Sequence, residues 1–483
     1  MTRPYDLVVL GGGTAGLVSS VIAARVGARV ALVERDRPGG DCLWTGCVPS
    51  KSLIAAAHLA HRMRHAERVG LAPAEPEIDF AQVMGHVQRA IATIEPHDSP
   101  ARLRAEGVEV INGEGRFLDR RTLEVAGRRL RFTSAIIATG SEPAVPALDG
   151  LSGRDVLTTE TVWEERERPS RLVVLGGGPI GCELGQAFAR LGSDVVLVEV
   201  AERLLLKEEP TAGALIADLL AQEGVDVRLR SKAVEVQRPA HDRPQLVLDT
   251  RGGRTAVPFD RILVATGRRP RTGGIGLDAA GVALDARGAV AVDPRLRTST
   301  PRIFAAGDVT AQLPFTHVAA HHARVAAVNA LVGARRTVDP TIPWVTFTDP
   351  EVARVGLTEA AARARWGERA IVARGDYATL DRAITEGEPV GFAVLVADPR
   401  GRLVGATVAA PGAGEAIAEL TARVKAADRI ERLSTTVHAY PTLAEGPARA
   451  ADEHLRRRYS RPRYRALVRP VLAARRLLAR ADA

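Results

Sequence analysis

Short apolar runs alternate along the chain with longer mixed stretches, which is typical of an α/β protein. Residues 5–10 form one apolar run, and a Gly-rich turn follows it. An Ala-rich helical stretch then reaches about Val26, and a second apolar run covers residues 29–33. Short apolar runs bounded by turn residues are characteristic of buried strands. The pattern therefore predicts a strand–helix–strand unit at the start of the chain.

The glycines of this unit have the spacing of a dinucleotide-binding turn. Gly11, Gly13 and Gly16 follow the first strand in the order G-x-G-x-x-G, and Glu34 follows the second apolar run. Such glycines allow a tight turn and bring the backbone close to a pyrophosphate at a helix N-terminus. The acidic residue can accept hydrogen bonds from a ribose. One such run is weak evidence, because glycine clusters also mark ordinary turns.

The same unit occurs a second time. Its two strands, three glycines and final acidic residue are residues 172–175, Gly176, Gly178, Gly181, residues 194–198 and Glu199. In both copies the acidic residue lies 23 positions after the first glycine. Each copy is followed by a strand that ends in Ala-Thr-Gly, at Gly140 and at Gly267. Two matching copies predict two nucleotide sites.

The acidic residue of the second copy bears on the choice of nicotinamide nucleotide. Glu199 would repel a 2′-phosphate, which favours NADH over NADPH. Arg203 lies close enough in sequence to reach such a phosphate, so NADPH remains an alternative.

Composition is that of an ordinary folded protein. The chain has 483 residues, 46% apolar and 25% charged, which suggests about three domains and excludes disorder, collagen or coiled coil as a description of the whole. No apolar run reaches about 18 residues, so no membrane-spanning helix is expected. The apolar N-terminus is interpreted as a strand and helix and not as a signal peptide, and a cytoplasmic protein is expected.

The positive charge is concentrated at the C-terminus. Of the net +9, residues 451–483 supply ten Arg against three acidic residues, or +7, which leaves +2 for the remainder. A nearly balanced body does not support a nucleic-acid-binding protein. Arginine greatly outnumbers lysine, which we attribute to coding bias.

The end of the chain has an amphipathic pattern. At 100° per residue a helix would put four arginines on one face and four apolar residues on the other: Arg465, Arg469, Arg476 and Arg480, opposite Leu467, Val471, Ala474 and Leu478. We expect this helix to be short and to begin at Pro470. The first interpretation is a solvated or partner-packed helix, and the second is peripheral contact with an anionic membrane.

A cysteine pair gives the chain its most specific chemistry. Cys42 and Cys47 lie near the start of a helical stretch expected over about Ser50 to Arg68, and Lys51 follows them. A helix N-terminus and a lysine both favour a thiolate. The alternative is that both cysteines are buried and purely structural. The helix N-terminus and Lys51 favour an exchangeable redox disulfide instead. A metal site is not expected, because Cys182 is the only other cysteine.

Several segments together resemble the FAD-dependent pyridine nucleotide–disulfide oxidoreductases, over roughly residues 4–450. They are GGDCLWTGCVPSK at residues 39–51, IFAAGD at residues 303–308, residues 343–356, and HAYPTLAE at residues 438–445. The branch is similar to mercuric reductase and dihydrolipoamide dehydrogenase. The resemblance implies an α/β fold with two doubly wound, Rossmann-like nucleotide-binding domains and a C-terminal α+β dimerisation domain.

The resemblance also implies the domain bounds. Residues 1–150 and 271–345 would bind FAD, and residues 151–270 would bind NAD(P)H. Residues 346–455 would form the interface of a homodimer whose active site is shared between subunits, and residues 456–483 would form a basic tail.

Site residues follow from the same resemblance. Gly11, Gly13, Gly16, Glu34, Gly140 and Asp308 would hold FAD, whereas Gly176, Gly178, Gly181, Glu199 and Gly267 would hold NADH or NADPH. Cys47 would form the charge-transfer thiolate beside the flavin, and Cys42 would meet the substrate. Lys51, paired with Glu183, would lie near flavin N5. The segment 315–318 is also expected beside the flavin.

One position departs from the disulfide reductases of this family. A His–Glu pair acts there as acid and base, and here Tyr440 replaces that histidine while Glu445 remains. Tyrosine is a poor base at neutral pH, since its reference pKa is about 10. Reduction of a thiol-bound metal ion needs no proton for a leaving thiolate, so the change favours a mercuric reductase-like enzyme. The cysteine pair that mercuric reductases carry near the C-terminus is absent, because all three cysteines lie before residue 183.

The expected reaction passes electrons from NAD(P)H through FAD, Cys47 and Cys42 to a small acceptor. The acceptor would be a disulfide, a metal ion or a related molecule. Dihydrolipoamide dehydrogenase is the alternative activity, and a redox sensor or interaction protein with little turnover is the alternative of another class. No nucleic-acid partner is expected.

Overall fold

The computed structural model describes residues 3–240 and 243–481 and separates the chain into two compact units. The first unit comprises Met1–Arg64, Ala74–Leu204 and Leu219–Pro340, and the second comprises His65–Pro73, Leu205–Asp218 and Thr341–Ala483. The finer bounds expected at residues 150, 270, 345 and 455 stay a prediction.

The first unit contains the sheet predicted from the start of the sequence. Its strands, in spatial order, are Glu109–Asn112, Val30–Glu34, Tyr5–Leu10, Arg128–Ile137, Thr122–Val125 and Arg116–Asp119, with Ile303–Ala305 also paired to Arg128–Ile137. The central pairings are parallel, with Leu10 opposite both Val33 and Ile137. Carboxyl ends of three neighbouring strands therefore meet at one edge, where open α/β sheets bind ligands.

A second sheet in the same unit repeats this arrangement. Its parallel strands, in spatial order, are Asp226–Arg228, Asp194–Val198, Arg171–Leu175, Arg261–Val264 and Val156–Leu157. Leu175 lies opposite both Val198 and Val264, as Leu10 does in the first sheet. The fold class is confirmed: this unit contains two α/β layers, and the central strands of both are parallel.

Smaller sheets and the helices complete the first unit. Its antiparallel strands are Lys232–Gln237, Gln245–Thr250 and Gly253–Pro258 in one sheet and Ser141–Pro143 with Arg268–Pro270 in another. Its α-helices are Thr14–Arg25, Gly40–Trp44, Cys47–Arg64, Phe80–Ile94, Pro100–Ala105, Pro179–Arg190, Leu277–Ala280 and Thr316–Val332. The helix expected over Ser50 to Arg68 begins instead at Cys47 and ends at Arg64.

The second unit is built on an antiparallel sheet. Its strands, in spatial order, are Pro343–Thr346, Glu351–Gly356, Leu403–Ala410, Phe392–Ala397 and Ile371–Asp376. Its α-helices are Glu359–Trp366, Asp381–Thr385, Ala413–Lys425, Ile430–Thr435, Glu445–Tyr459 and Pro462–Ala481, while Pro210–Gln222 runs across the division between the units. Fully buried Tyr377 packs in this core and donates its hydroxyl to the Leu443 carbonyl at 3.0 Å.

The C-terminal helix differs from the expectation. It extends over Pro462–Ala481 with Pro470 inside it, so the prediction that it begins at Pro470 is wrong. A proline removes one helical hydrogen bond and crowds the carbonyl four residues earlier, which can kink a helix without ending it. The side chains of Arg465 and Arg480 lie outside the described part. Among the described residues, no helix has the length and apolar character needed to cross a membrane.

Candidate functional site

The first glycine turn has a backbone that only glycine allows. Gly11 has φ +105°, and a Cβ there would lie 2.3 Å from the Ala138 carbonyl oxygen. A Cβ on Gly16 would lie 1.8 Å from the Gly11 carbonyl oxygen. At Gly13, which precedes helix Thr14–Arg25, the nearest atom to such a Cβ is 3.8 Å away. The turn is thus tight on its protein side and open before the helix N-terminus, as a pyrophosphate requires.

The second turn repeats this geometry. Gly176 has φ +108°, and a Cβ there would lie 2.5 Å from the Ala265 carbonyl oxygen. A Cβ on Gly181 would lie 1.9 Å from the Gly176 carbonyl oxygen. A Cβ on Gly178 would meet no atom within 4 Å. The turn therefore has the same open space before helix Pro179–Arg190.

The acidic residues of the two copies hold equivalent positions. Glu34 accepts a hydrogen bond from the Gly12 N–H at 2.5 Å, and Glu199 accepts one from the Gly177 N–H at 2.6 Å. In each copy the other carboxylate oxygen accepts the N–H of the residue two positions after the glutamate. These distances are 2.8 Å for Glu34 and 2.7 Å for Glu199. Each carboxylate is therefore fixed beside its glycine turn, where its remaining lone pairs can accept ribose hydroxyls.

The Ala-Thr-Gly segments end in open glycines. Gly140 has φ +71° and Gly267 has φ +133°, and a Cβ at either would meet no atom within 4 Å. Both glycines thus present accessible backbone just beyond the strands that precede them.

Asp308 belongs to a polar network whose other members were given no role by the sequence analysis. Its carboxylate accepts the Ser141 hydroxyl at 2.7 Å, and the same hydroxyl oxygen accepts Arg268 Nε at 2.7 Å. Arg268 also forms an ion pair with Asp41, next to Cys42. Burial raises the Asp308 pKa, although the Ser141 hydrogen bond opposes this change. A half-buried carboxyl group with a remaining acceptor position fits a hydroxyl-bearing ligand such as the FAD ribityl chain.

The two cysteines form one interacting pair. Cys42 and Cys47 are free thiols joined by a hydrogen bond, and Cys47 Sγ lies 3.2 Å from the Thr316 hydroxyl. The hydrogen bond from Cys42 lowers the pKa of Cys47 to about 6, helped by Thr316 and the charge of Lys51 and opposed by burial. The same hydrogen bond, with burial, raises the pKa of Cys42. The directions of the two pKa changes favour Cys47 as the thiolate of the pair.

Lys51 and Glu183 form an ion pair across 132 positions of sequence. Lys51 Nζ lies 2.8 Å from Glu183 Oε2, and the Glu183 side chain is 7% exposed. Lys51 lies one turn after Cys47 on helix Cys47–Arg64, and Glu183 lies on helix Pro179–Arg190, which follows the second glycine turn. The pair thus places a positive charge near the Cys47 thiolate.

The two residues at the positions of the family's His–Glu pair, Tyr440 and Glu445, do not pair with each other. The Tyr440 hydroxyl donates to Asp381 Oδ2 at 2.7 Å, and this hydrogen bond raises the pKa of Tyr440. Glu445 instead accepts the Thr442 N–H at 3.1 Å. The sequence pattern gave no role to Asp381, so its contact with Tyr440 is a feature that the sequence analysis missed.

A histidine–carboxylate pair does occur nearby in the second unit. His438 Nε2 lies 2.9 Å from Glu419 Oε2, and the histidine side chain is 14% exposed. Burial raises the pKa of Glu419, but hydrogen bonds from Arg423 and His438 outweigh it and leave that pKa lowered. The histidine of this segment is thus held by Glu419.

Family comparisons agree with this architecture. Residues 5–323 match the pyridine nucleotide-disulphide oxidoreductase family, and residues 342–451 match its dimerisation domain. A mercuric reductase of Streptomyces lividans is 38% identical, over 93% of this chain and 96% of that protein. A dihydrolipoyl dehydrogenase of Thermus scotoductus is also 38% identical, over 93% of this chain and 97% of that protein.

Solved structures show the same similarity. The HOCl-induced flavoprotein disulfide reductase RclA from Escherichia coli matches with a TM-score of 0.82 and 27% identity, over 93% of this chain and 99% of that one. Its Cu(II) complex matches with a TM-score of 0.81 and 27% identity, over 94% of this chain and all of that one.

Proposed function

We propose, from the premise that this chain belongs to the pyridine nucleotide-disulphide oxidoreductase family, that it reduces a thiophilic metal ion at its cysteine pair. The family is one of FAD-dependent enzymes that use NAD(P)H.

The first unit offers matching features for both nucleotides. The turn containing Gly11, Gly13 and Gly16, together with Glu34 and Asp308, would hold FAD, with Gly140 close by. Bound FAD would accept a hydride from the nicotinamide and supply two electrons to a disulfide. The chain itself would stabilise negative charge near that centre through Lys51, which Glu183 holds in place at 2.8 Å.

The second turn would hold NADH in preference to NADPH. Glu199 is fixed by two backbone N–H groups beside Gly177, so its carboxylate would face an adenosine ribose. A 2′-phosphate at that position would meet a like charge, whereas a 2′-hydroxyl would donate a hydrogen bond. Gly176, Gly178, Gly181 and Gly267 would provide the surrounding backbone.

The cysteine pair can reduce a metal ion without an external acid. Formation of the Cys42–Cys47 S–S bond releases two electrons, which convert one Hg(II) to Hg(0) or two Cu(II) to two Cu(I). Any thiol proton still present leaves to water. A disulfide substrate differs, because attack by a cysteine sulfur expels a thiolate that takes up a proton.

The hydrogen bond between Tyr440 and Asp381 is the observation that carries the choice of acceptor. Tyr440 has one hydroxyl proton, and it is directed to Asp381 at 2.7 Å. Because that contact raises the pKa of Tyr440, the phenol stays neutral and offers lone pairs. An oxygen of this kind can contact a cation, but it is poorly suited to protonating a leaving thiolate.

The family's dimerisation domain suggests where that oxygen acts. Residues 342–451 match this domain, which supports a homodimer. We propose that Tyr440 of the partner subunit faces Cys42, so that each site combines a thiol pair from one chain with a phenol from the other. Glu445 would then serve mainly to order its own segment, through Thr442.

Steady-state turnover of the FAD-loaded dimer with NADH tests this proposal. Hg(II) and Cu(II) should each consume NADH faster than lipoamide or glutathione disulfide does, with Cu(I) measured by a chelator. Tyr440→Phe should lower metal turnover, and Tyr440→His should raise disulfide reduction. Tyr459→Phe, at an exposed tyrosine of the same unit, is the matched control. Lipoamide turnover equal to metal turnover would contradict the proposed acceptor.

Dihydrolipoamide dehydrogenase is the second candidate, and His438 favours it. The contact with Glu419 gives this segment a histidine–carboxylate pair that could carry a proton. If this candidate is right, His438→Gln should abolish lipoamide turnover with a matching change in its pH profile. A metal reductase would retain most of its turnover in that variant.

A further inference from the structure

The C-terminal helix Pro462–Ala481 has an exposed apolar face. All side chains from Ala466 to Ala479 are exposed. Leu467, Val471 and Leu478 are 69%, 58% and 67% exposed. At 100° per residue these three lie within about 40° of one another, which makes a continuous stripe along the helix.

The charge of this helix has a single sign. Residues 462–481 contain six arginines and no acidic residue. Arg469 and Arg476 lie on the side opposite the stripe of Leu467, Val471 and Leu478. An apolar stripe with arginines on the opposite side is typical of helices that lie in the interface of an anionic membrane.

The helix is an addition to the enzyme core. The family's dimerisation domain ends its match at residue 451, before the helix begins. The helix is nevertheless joined to the preceding one, because Arg458 Nε donates to the Tyr464 hydroxyl at 3.0 Å and Tyr459 makes an edge contact with Tyr464. These contacts join the base of the helix to the preceding one, while the stripe is exposed in the single chain.

We propose that this helix binds the enzyme to the surface of an anionic lipid bilayer, lying along the headgroup region with its stripe towards the acyl chains. Pairing with the same helix of a second copy would bring twelve arginines together without an acidic residue, and like charges repel. A nucleic acid would satisfy the arginines but not the exposed leucines. An anionic membrane satisfies both features, and its negative potential attracts each arginine near the surface.

Vesicle flotation of the FAD-loaded enzyme tests the proposal. The full chain should float with phosphatidylcholine–phosphatidylglycerol vesicles and remain behind with phosphatidylcholine alone. Replacement of Arg469, Arg475 and Arg476 by Gln should weaken binding on the order of 100-fold. The same number of substitutions at exposed Arg129, Arg251 and Arg254 is the matched control and should leave binding unchanged.

The apolar stripe is tested separately. Replacement of Leu467, Val471 and Leu478 by Ser keeps the charge and should also abolish flotation. Removal of residues 460–483 should abolish flotation as well, while the rate of NADH oxidation and the mass of the dimer stay unchanged. Flotation that survives this removal would overturn the proposal. So would binding that follows a DNA duplex instead of vesicles, or a tail-dependent rise in oligomer size without flotation.

Discussion

Replacement of Thr316 by Val should raise the pKa of the Cys47 thiol. The Thr316 hydroxyl lies 3.2 Å from Cys47 Sγ and is one of the groups that lower this pKa to about 6. A hydrogen bond to a charged group contributes about 1.5 kcal/mol at the low end, which suits a solvent-accessible sulfur. A free-energy difference of about 1.4 kcal/mol corresponds to one pKa unit. The Cys47 thiol of the variant should therefore have a pKa of about 7.

This change should be visible in the reactivity of the reduced enzyme. At pH 7 the thiolate fraction of Cys47 would fall from about nine tenths to about one half. The rate of alkylation by iodoacetamide, followed against pH and assigned by peptide mass spectrometry, measures the pKa. Ser52→Ala is the matched control, because Ser52 lies on the same helix and donates to the Val48 carbonyl at 2.8 Å. An unchanged pKa in Thr316→Val, or a thiolate that maps to Cys42, would refute the reasoning.

Three further predictions follow from other contacts. Lys51→Met removes the ammonium beside the buried Glu183 carboxylate and should lower the free energy of unfolding by about 2 kcal/mol in denaturant titrations. Adding Glu183→Gln should restore this stability, and a double variant that stays destabilised would mean that the ion pair is not the cause. Glu199→Ala should raise the ratio of kcat/KM for NADPH over NADH by about 10-fold or more, and an unchanged ratio would contradict the assigned ribose contact. Burial lowers the pKa of His322 to about 4, below its unfolded value of about 6.5, so the unfolded chain binds the extra proton between those values. Stability should therefore fall by about 1.4 kcal/mol per pH unit from about pH 6.5 to about 4, and His322→Gln, but not exposed His86→Gln, should reduce that dependence in urea unfolding.

The doubled nucleotide unit was predictable because its constraints are local. Gly16 must approach the Gly11 carbonyl within a few residues, and the acidic residue at the end of the next strand returns to the same turn. Spacing alone records both requirements, and the second copy repeats them at Gly181 and Glu199. The structure confirms the resulting fold class.

The surroundings of the cysteine pair were less predictable because their contacts join distant parts of the chain. Thr316 is 269 positions from Cys47, and Arg268 is 227 positions from Asp41. No local pattern marks either residue, although the segment around Thr316 was expected beside the flavin from family resemblance. The prediction that the last helix begins at Pro470 was wrong for another reason. A rule based on the proline alone takes no account of the helix-forming residues on both sides of it.

The Lys51–Glu183 contact has a consequence for which substitutions the chain tolerates. The sequence contains 62 arginines and four lysines, so exchange of one cation for the other would be unremarkable at most positions. Position 51 differs, because a compact ammonium lies 2.8 Å from a buried carboxylate beside a thiol pair. A guanidinium is planar, broader and directs five donors outward, so it would displace its neighbours instead of occupying the same point. Lysine at this position is therefore a requirement of shape as well as of charge.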